Sequence, residues 1–285
     1  MNDDVMDLDL LLQNAVLNII EFDINTRHEM KTYNRVRPCY VMSYHKKGNA
    51  KLRIGDEIYA IVPGTVILIP PNVPHDHFKE NADESVFLWS HFTFEIAGVI
   101  DVLKLFQIPI TFKLRDSVEF EKVFMQYNEL KQQTGFLPRT ILRKAKALEL
   151  IYLVLESAIR MDQDMVMKIQ SRSFLEILAR IIQNPEQDFT LAHFAKELNM
   201  HPTYISNRFK ELYGRSPIQV QREMKIHKAK TLLKTTQLSI TEIAQSLGFI
   251  GIPNFTRLFK LYVGTSPSHY REINKNKING YFSKS

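Results

Sequence analysis

The sequence predicts an α+β chain of several domains: a small N-terminal β-barrel, a helical region, and a C-terminal all-α domain with two helix-turn-helix motifs. Three observations lead there. The hydrophobic pattern changes from short β-branched and aromatic runs to helical spacing near residue 116. A supersecondary unit occurs twice near the C-terminus, at offsets of 49 and 50 residues. Charge is divided between the halves: 17 Lys and Arg against 8 Asp and Glu from Ser171 onward, but 20 against 23 before it. With 285 residues, 45% of them hydrophobic, the chain has room for two ordinary domains. The expected boundaries are 1–115 for the barrel, 116–162 for the helical region, 163–171 for a linker and 172–285 for the C-terminal domain. The two motifs fall at about 190–212 and 239–262.

In the N-terminal part, Tyr40–Tyr44, Lys51–Ile54, Ile58–Val62, Thr65–Ile69 and Val86–Phe92 have strand composition. Gly48-Asn49, Gly55-Asp56, Pro63-Gly64 and Pro70-Pro71 punctuate them, a spacing that suits a small barrel or jelly roll. The run from Pro63 to His75 resembles the second half-motif of a cupin, and the resemblance implies a sensor barrel. Its pocket candidates are Tyr44, His75, His77 and Trp89. The histidines alternate on one face and serve either a ligand or the barrel rim. The two aromatic planes suit a sugar's C–H groups or the core. A metal set would need paired histidines on the earlier strand, which offers only His45, with His91 as a further donor. No metal, cofactor or catalytic function is therefore expected. Cys39, the one cysteine, sits in Pro-Cys-Tyr-Val and reads as buried core in a reducing compartment. The acidic start lacks an export signal and no apolar run suits a membrane, so a cytoplasmic protein without a membrane partner is expected.

Two helices follow. Val118–Gln133 is one. Arg139–Arg160 is the other, with Leu142, Ala145, Leu148, Ile151, Tyr152, Leu155 and Ile159 at helical spacing. That stripe packs on the barrel or forms a homodimer interface.

The repeat carries the chemistry. Ala195-Lys-Glu-Leu198 corresponds to Ala244-Gln-Ser-Leu247, and Phe209-Lys210 to Phe259-Lys260. Each copy reads as helix, tight turn and second helix, with Thr190 and a Ser239–Glu242 capping box at the first starts. Asn199 and Gly248 supply the positive-φ turn. The second helices bury Ile205, Phe209, Phe255 and Phe259. They leave Thr203, Ser206, Asn207 and Lys210, then Asn254, Thr256, Arg257 and Lys260, for duplex DNA. Arg257 suits bidentate contact with guanine, or a phosphate clamp. Lys210 and Lys260 suit phosphate. Between the copies, Pro217–Lys234 is a basic helix with Arg222, Lys225, Lys228, Lys230 and Lys234, about 27 Å long at helical rise. That length sets two readers in successive major grooves.

The segment from Phe174 to Glu272 resembles the DNA-binding domain of the AraC/XylS family. The resemblance rests on Ile240-Thr-Glu-Ile-Ala244, Gly248-Phe249, Asn254-Phe-Thr-Arg-Leu-Phe-Lys260 and Gly264-Thr-Ser-Pro267 before Tyr270-Arg271. Val220, Lys225 and Pro253 depart from the usual residues. The resemblance implies a transcription regulator, not an enzyme, with a small-molecule effector, which for many members is a carbohydrate. It also implies a homodimer and, for an activator, RNA polymerase as a partner. The competing expectations are a cupin enzyme with a DNA anchor and an architectural DNA binder without a ligand.

Overall fold

The computed structural model describes residues 12–106, 108–132, 137–159 and 169–282. The chain divides into two compact units, one from 16–95 with 106–165, the other from 166–285 with 1–15 and 96–105. Most of the expected linker, 163–168, lies outside the described residues. Among the described residues no helix is long and apolar enough to cross a membrane.

The first unit is β-rich. Its strands are β1 (Ala15–Arg27), β2 (Lys31–Arg35), β3 (Tyr40–Lys47), β4 (Ala50–Ile54), β5 (Glu57–Ile61), β6 (Thr65–Ile69), β7 (His75–Phe78), β8 (Ser85–Ile96) and β10 (Thr111–Lys113); the two-residue β9 (Ile100–Asp101) falls between the last two in sequence. One sheet has the order β1-β8-β3-β6-β10 and the other β2-β7-β4-β5. The ladders of β3 with β6 and β8, and of β4 with β5 and β7, are antiparallel.

Register decides what shares the interior. Val41 lies opposite Ile69 and His91, while Ser43 lies opposite Ile67 and Trp89. Leu52 of the second sheet is flanked by Tyr59 and His77. Because strand side chains alternate between faces, Val41, Ile67 and Phe87 meet Leu52 and Ile61 in one buried cluster between the sheets. The other face of β3 and β6, with Met42, Tyr44, Val66 and Leu68, is buried as well. Helix α1 (Ser117–Glu129) covers it: Phe120 is fully buried and its ring lies 5.3 Å from that of Tyr44. Apolar contact on both faces explains why these strands read as unbroken hydrophobic runs. Asp116 starts α1 by accepting a hydrogen bond from the Glu119 amide at 2.9 Å.

Helix α2 (Leu137–Ala158) departs from the expected single stripe. Leu150, Ile151, Val154 and Ala158 are buried against the unit, whereas Leu142, Leu148 and Tyr152 are 45%, 52% and 58% exposed. The apolar residues form two stripes. Only one packs inward.

The α-helices of the second unit are α3 (Ile169–Gln183), α4 (Leu191–Leu198), α5 (Pro202–Tyr213), α6 (Pro217–Thr235), α7 (Ile240–Ser246), α8 (Ile252–Val263) and α9 (Pro267–Phe282). Phe174, Phe194, Ile205 and Phe209 are fully buried in its first half. In its second half, Ile243, Leu247, Phe255 and Phe259 share a core with Ile226, Ala229 and Leu233 of α6. The central helix therefore belongs to both cores. At about 1.5 Å per residue it is roughly 28 Å long.

Candidate nucleic-acid interface and barrel interior

Local chemistry sets both helix-turn-helix units. Thr190 caps α4 through the His193 amide at 3.1 Å, and Asn199 ends the helix in the left-handed region at φ 51°. His201 then caps α5, its Nδ1 accepting from the Thr203 amide at 3.3 Å. In the second unit the Ser239 hydroxyl accepts from the Glu242 amide at 3.1 Å, while the Glu242 carboxylate accepts from the Ser239 amide at 2.7 Å. That reciprocal bond fixes the start of α7. Gly248 turns the chain at φ 68°, and Gly251 precedes α8 at φ 87° without a side-chain cap.

A loop before the first unit, Pro185–Asp188, ties the units together. The Gln221 amide of α6 donates to the Pro185 carbonyl at 3.3 Å and to the Gln187 carbonyl. Lys228 pairs with Glu186 at 2.8 Å. Lys225 is buried, with its ammonium 5.3 Å over the ring of Phe249 from the second turn. Burial lowers the Lys225 pKa, while Asp188 and then Glu186 oppose the shift. The basic helix is therefore not uniformly free to meet phosphate. Lys225 and Lys228 are engaged within the domain, and Lys234 lies 5.6 Å over Tyr270.

The candidate contacts fall on the outer faces of α5 and α8. Thr203, Asn207 and Lys210 are exposed and Ser206 is half-buried; Asn254, Arg257 and Lys260 are exposed and Thr256 is half-buried. Among the described residues, Arg257, Lys210 and Lys260 have no ion-pair partner in the unit. The Asn254 amide donates to the Ile250 carbonyl at 3.1 Å, which engages it in holding the start of α8. The exposed groups offer donors for base edges and cations for phosphate, on helices whose inner faces are locked by phenylalanine.

Within the barrel, the four pocket candidates do not share one face. His75, His77 and Trp89 belong to inner faces, since His77 pairs with Leu52 and Trp89 with Ser43. Tyr44 faces α1 instead. Its hydroxyl donates to Glu121 at 2.8 Å, and burial together with that carboxylate pushes its pKa up to about 12. Strand alternation turns Tyr44 away from its neighbours Ser43 and His45. It is packing between sheet and helix rather than pocket wall.

Arg35 and His91 join the inner set. Arg35 lies opposite His75 in the ladder, and its guanidinium is 3.4 Å from His91 Nε2. His91 Nδ1 donates to Glu21 at 3.2 Å, and His75 Nδ1 donates to the Val73 carbonyl at 3.0 Å. The Trp89 indole N–H meets the Asn25 side-chain oxygen at 2.8 Å, with that amide in its hydrogen-bonding orientation. Deeper in, the rings of His45 and His77 lie 5.4 Å apart. Burial holds their pKa values at about 4 and about 3, so both are neutral near pH 7. Both nitrogens of His45, Nε2 of His77 and the hydroxyl of Ser43 are buried without a hydrogen-bond partner. Among the described residues no three His, Cys, Asp or Glu side chains converge as a metal-ligand set.

Residues 194–273 match the family profile described as a helix-turn-helix domain, and residues 23–126 match that of an AraC-like ligand-binding domain. The chain is 28% identical to the uncharacterized HTH-type transcriptional regulator YfiF of Bacillus subtilis, over 83% of this chain and 76% of that protein. It is 22% identical to the raffinose operon transcriptional regulatory protein RafR of Pediococcus pentosaceus, over 84% of this chain and 87% of that one. The C-terminal domain of AraT, a response regulator from Geobacillus stearothermophilus, aligns with a TM-score of 0.35 at 33% identity, covering 37% of this chain and 88% of that chain. A ligand-binding barrel followed by two helix-turn-helix units makes this chain a member of the AraC/XylS family of DNA-binding transcription regulators, which are not enzymes.

Proposed function

We propose that the chain is a cytoplasmic transcription activator whose barrel binds a carbohydrate effector. The observation that carries this reading is the inner-face group of Arg35, His75, Trp89 and His91, set beside buried polar atoms that have no partner. A guanidinium fork and neutral imidazoles suit vicinal hydroxyls, and the indole plane suits a sugar's C–H face. A buried polar atom without a partner costs about 1–3 kcal/mol, so a ligand hydroxyl that satisfies it gains that much specificity. The name of RafR, a raffinose operon regulator, agrees with a sugar.

In this reading Thr203, Ser206, Asn207, Lys210, Asn254, Thr256, Arg257 and Lys260 meet the operator. The outer stripe of α2, with Leu137, Ile141, Leu148 and Tyr152 at spacings of four, seven and four residues, pairs two copies as a homodimer. Effector binding biases one arrangement of the dimer, which requires unequal affinity for the two states. As an activator, the bound dimer contacts RNA polymerase.

The test is a screen of mono- and oligosaccharides for a raised melting temperature together with altered operator affinity. Trp89→Ala should abolish the response while leaving operator binding by the free protein intact. If no sugar changes either quantity, the sensor reading is rejected.

A further inference from the structure

The two recognition helices begin with different chemistry. Around the start of α5 stand His201, Thr203 and Tyr204, all exposed and all able to form hydrogen bonds. In the second unit the corresponding residues, at the repeat offset of 50, are Gly251, Pro253 and Asn254, and two isoleucines, Ile250 and Ile252, flank Gly251. Ile250 is 90% exposed and Ile252 is 41% exposed. Neither belongs to the neighbouring core, which is built from Ile243, Leu247, Phe255 and Phe259 with Phe249 packed on it. The hydrogen bond from Asn254 to the Ile250 carbonyl fixes the backbone at this tip. The side chain of Ile250 therefore projects from a held segment.

An apolar tip has no donor or acceptor with which to read a base edge by hydrogen bonding. In the major groove the apolar group that a base pair presents is the C5-methyl of thymine. Residues at the start of a recognition helix are the ones that reach base edges. Continuity with the DNA-reading face of α8 thus names the occupant of this patch. We propose that Ile250 and Ile252 are specificity-determining residues of the second unit and that they select thymine by contact with its methyl group. Arg257, farther along the same helix, reads an adjacent guanine or holds a phosphate. The first unit reads through polar contacts, whereas the second adds methyl contacts to its polar ones.

The inference rests on α8 lying in the major groove. Its test uses the full chain and a duplex selected from random DNA. Each thymine in the half bound by the second unit is replaced in turn by uracil, which removes the methyl group and leaves every hydrogen-bonding atom in place. The expected result is an affinity loss of about fourfold for each contacted methyl, the equivalent of one methyl group left unburied. Ile250→Ser and Ile252→Ser should each lower affinity for the thymine duplex by a similar factor and be insensitive to uracil at the contacted position. Thermal melting verifies that both variants fold, as substitution at an exposed side chain allows. Uracil without effect at every position overturns the proposal, as does a selected half-site without thymine. Equal losses by the variants on thymine and uracil duplexes overturn it too. Variants that keep full affinity on all duplexes would assign the tip to a protein partner instead. Failure to select any duplex removes the major-groove reading beneath the proposal as well.

Discussion

Gly248 sits where any side chain would run into the backbone carbonyl oxygen of Glu186. The turn of the second helix-turn-helix unit thus packs directly on the loop that precedes the first. Two demands coincide at this residue: a φ of 68° and the absence of a Cβ.

Gly248→Ala should destabilise the C-terminal domain by roughly 2 kcal/mol or more, since both the strained backbone and the collision must be accommodated. Urea unfolding of the full chain, followed on the C-terminal transition, measures this. Gly214→Ala is the comparison. That glycine shares a positive φ of 78° but has open space around its Cβ position, so it should cost less. Equal losses at both sites would mean that the contact with Glu186 is energetically idle.

Arg257 and Lys260 lie on the same exposed face of α8 and should separate in a binding assay. Arg257→Ala is expected to lose about 1–3 kcal/mol of discrimination at one or two base pairs while retaining weak nonspecific binding. Lys260→Ala should weaken binding to every sequence alike and lower the slope of log affinity against log salt by about 1. A uniform loss for Arg257→Ala would reassign it to phosphate.

The buried imidazole of His45 makes the barrel acid-sensitive. Its pKa is about 4, depressed mainly by burial and then by Lys79, against an ordinary value of 6.5. Below pH 6.5 the unfolded chain binds a proton that the folded chain excludes, so stability present above that pH is lost as pH falls toward 4. At pH 5 this group alone accounts for about 2 kcal/mol of destabilisation. His45→Phe, which keeps the stack on Phe87, should show a smaller drop in urea midpoint between pH 7.5 and pH 5 than the native chain. An unchanged drop would place the acid sensitivity elsewhere.

The outer stripe of α2 is expected to hold the dimer. Leu148→Glu puts a charge at a position that is 52% exposed, so the barrel should stay folded while sedimentation shifts from dimer to monomer. Operator affinity should fall at least tenfold through lost bivalency. A dimer that survives Leu148→Glu together with Ile141→Glu would exclude this face.

Both architectures were legible in the sequence, for different reasons. The C-terminal units announced themselves through Asn199, Gly248 and the Ser239–Glu242 box, because caps and positive-φ turns are local chemistry that needs no tertiary partner. The barrel strands were legible where β-branched residues cluster, as in β6. β1 and β2 were not, because Asn18, Asp23, Asn25 and Asn34 interrupt them and much of their surface is exposed. Arg35 was missed for a related reason. Only the ladder that sets it opposite His75 reveals its role, and no residue near it signals that pairing. Tyr44 stays open between pocket wall and core in the sequence because periodicity gives alternation but not which face is inside. The engagement of Lys225 and Lys228 was not legible either, since Asp188, Glu186 and Phe249 are distant in sequence and meet them only after folding.

The attachment of Gln221, Lys225 and Lys228 to one loop and one turn makes the two readers a ruler rather than a pair of independent hands. A ruler demands phase. One base pair inserted between the halves of the operator rotates them by about 34° about the helical axis. Neither reader can swing to follow, so the sites regulated by this protein must keep a constant spacing even where their sequences drift.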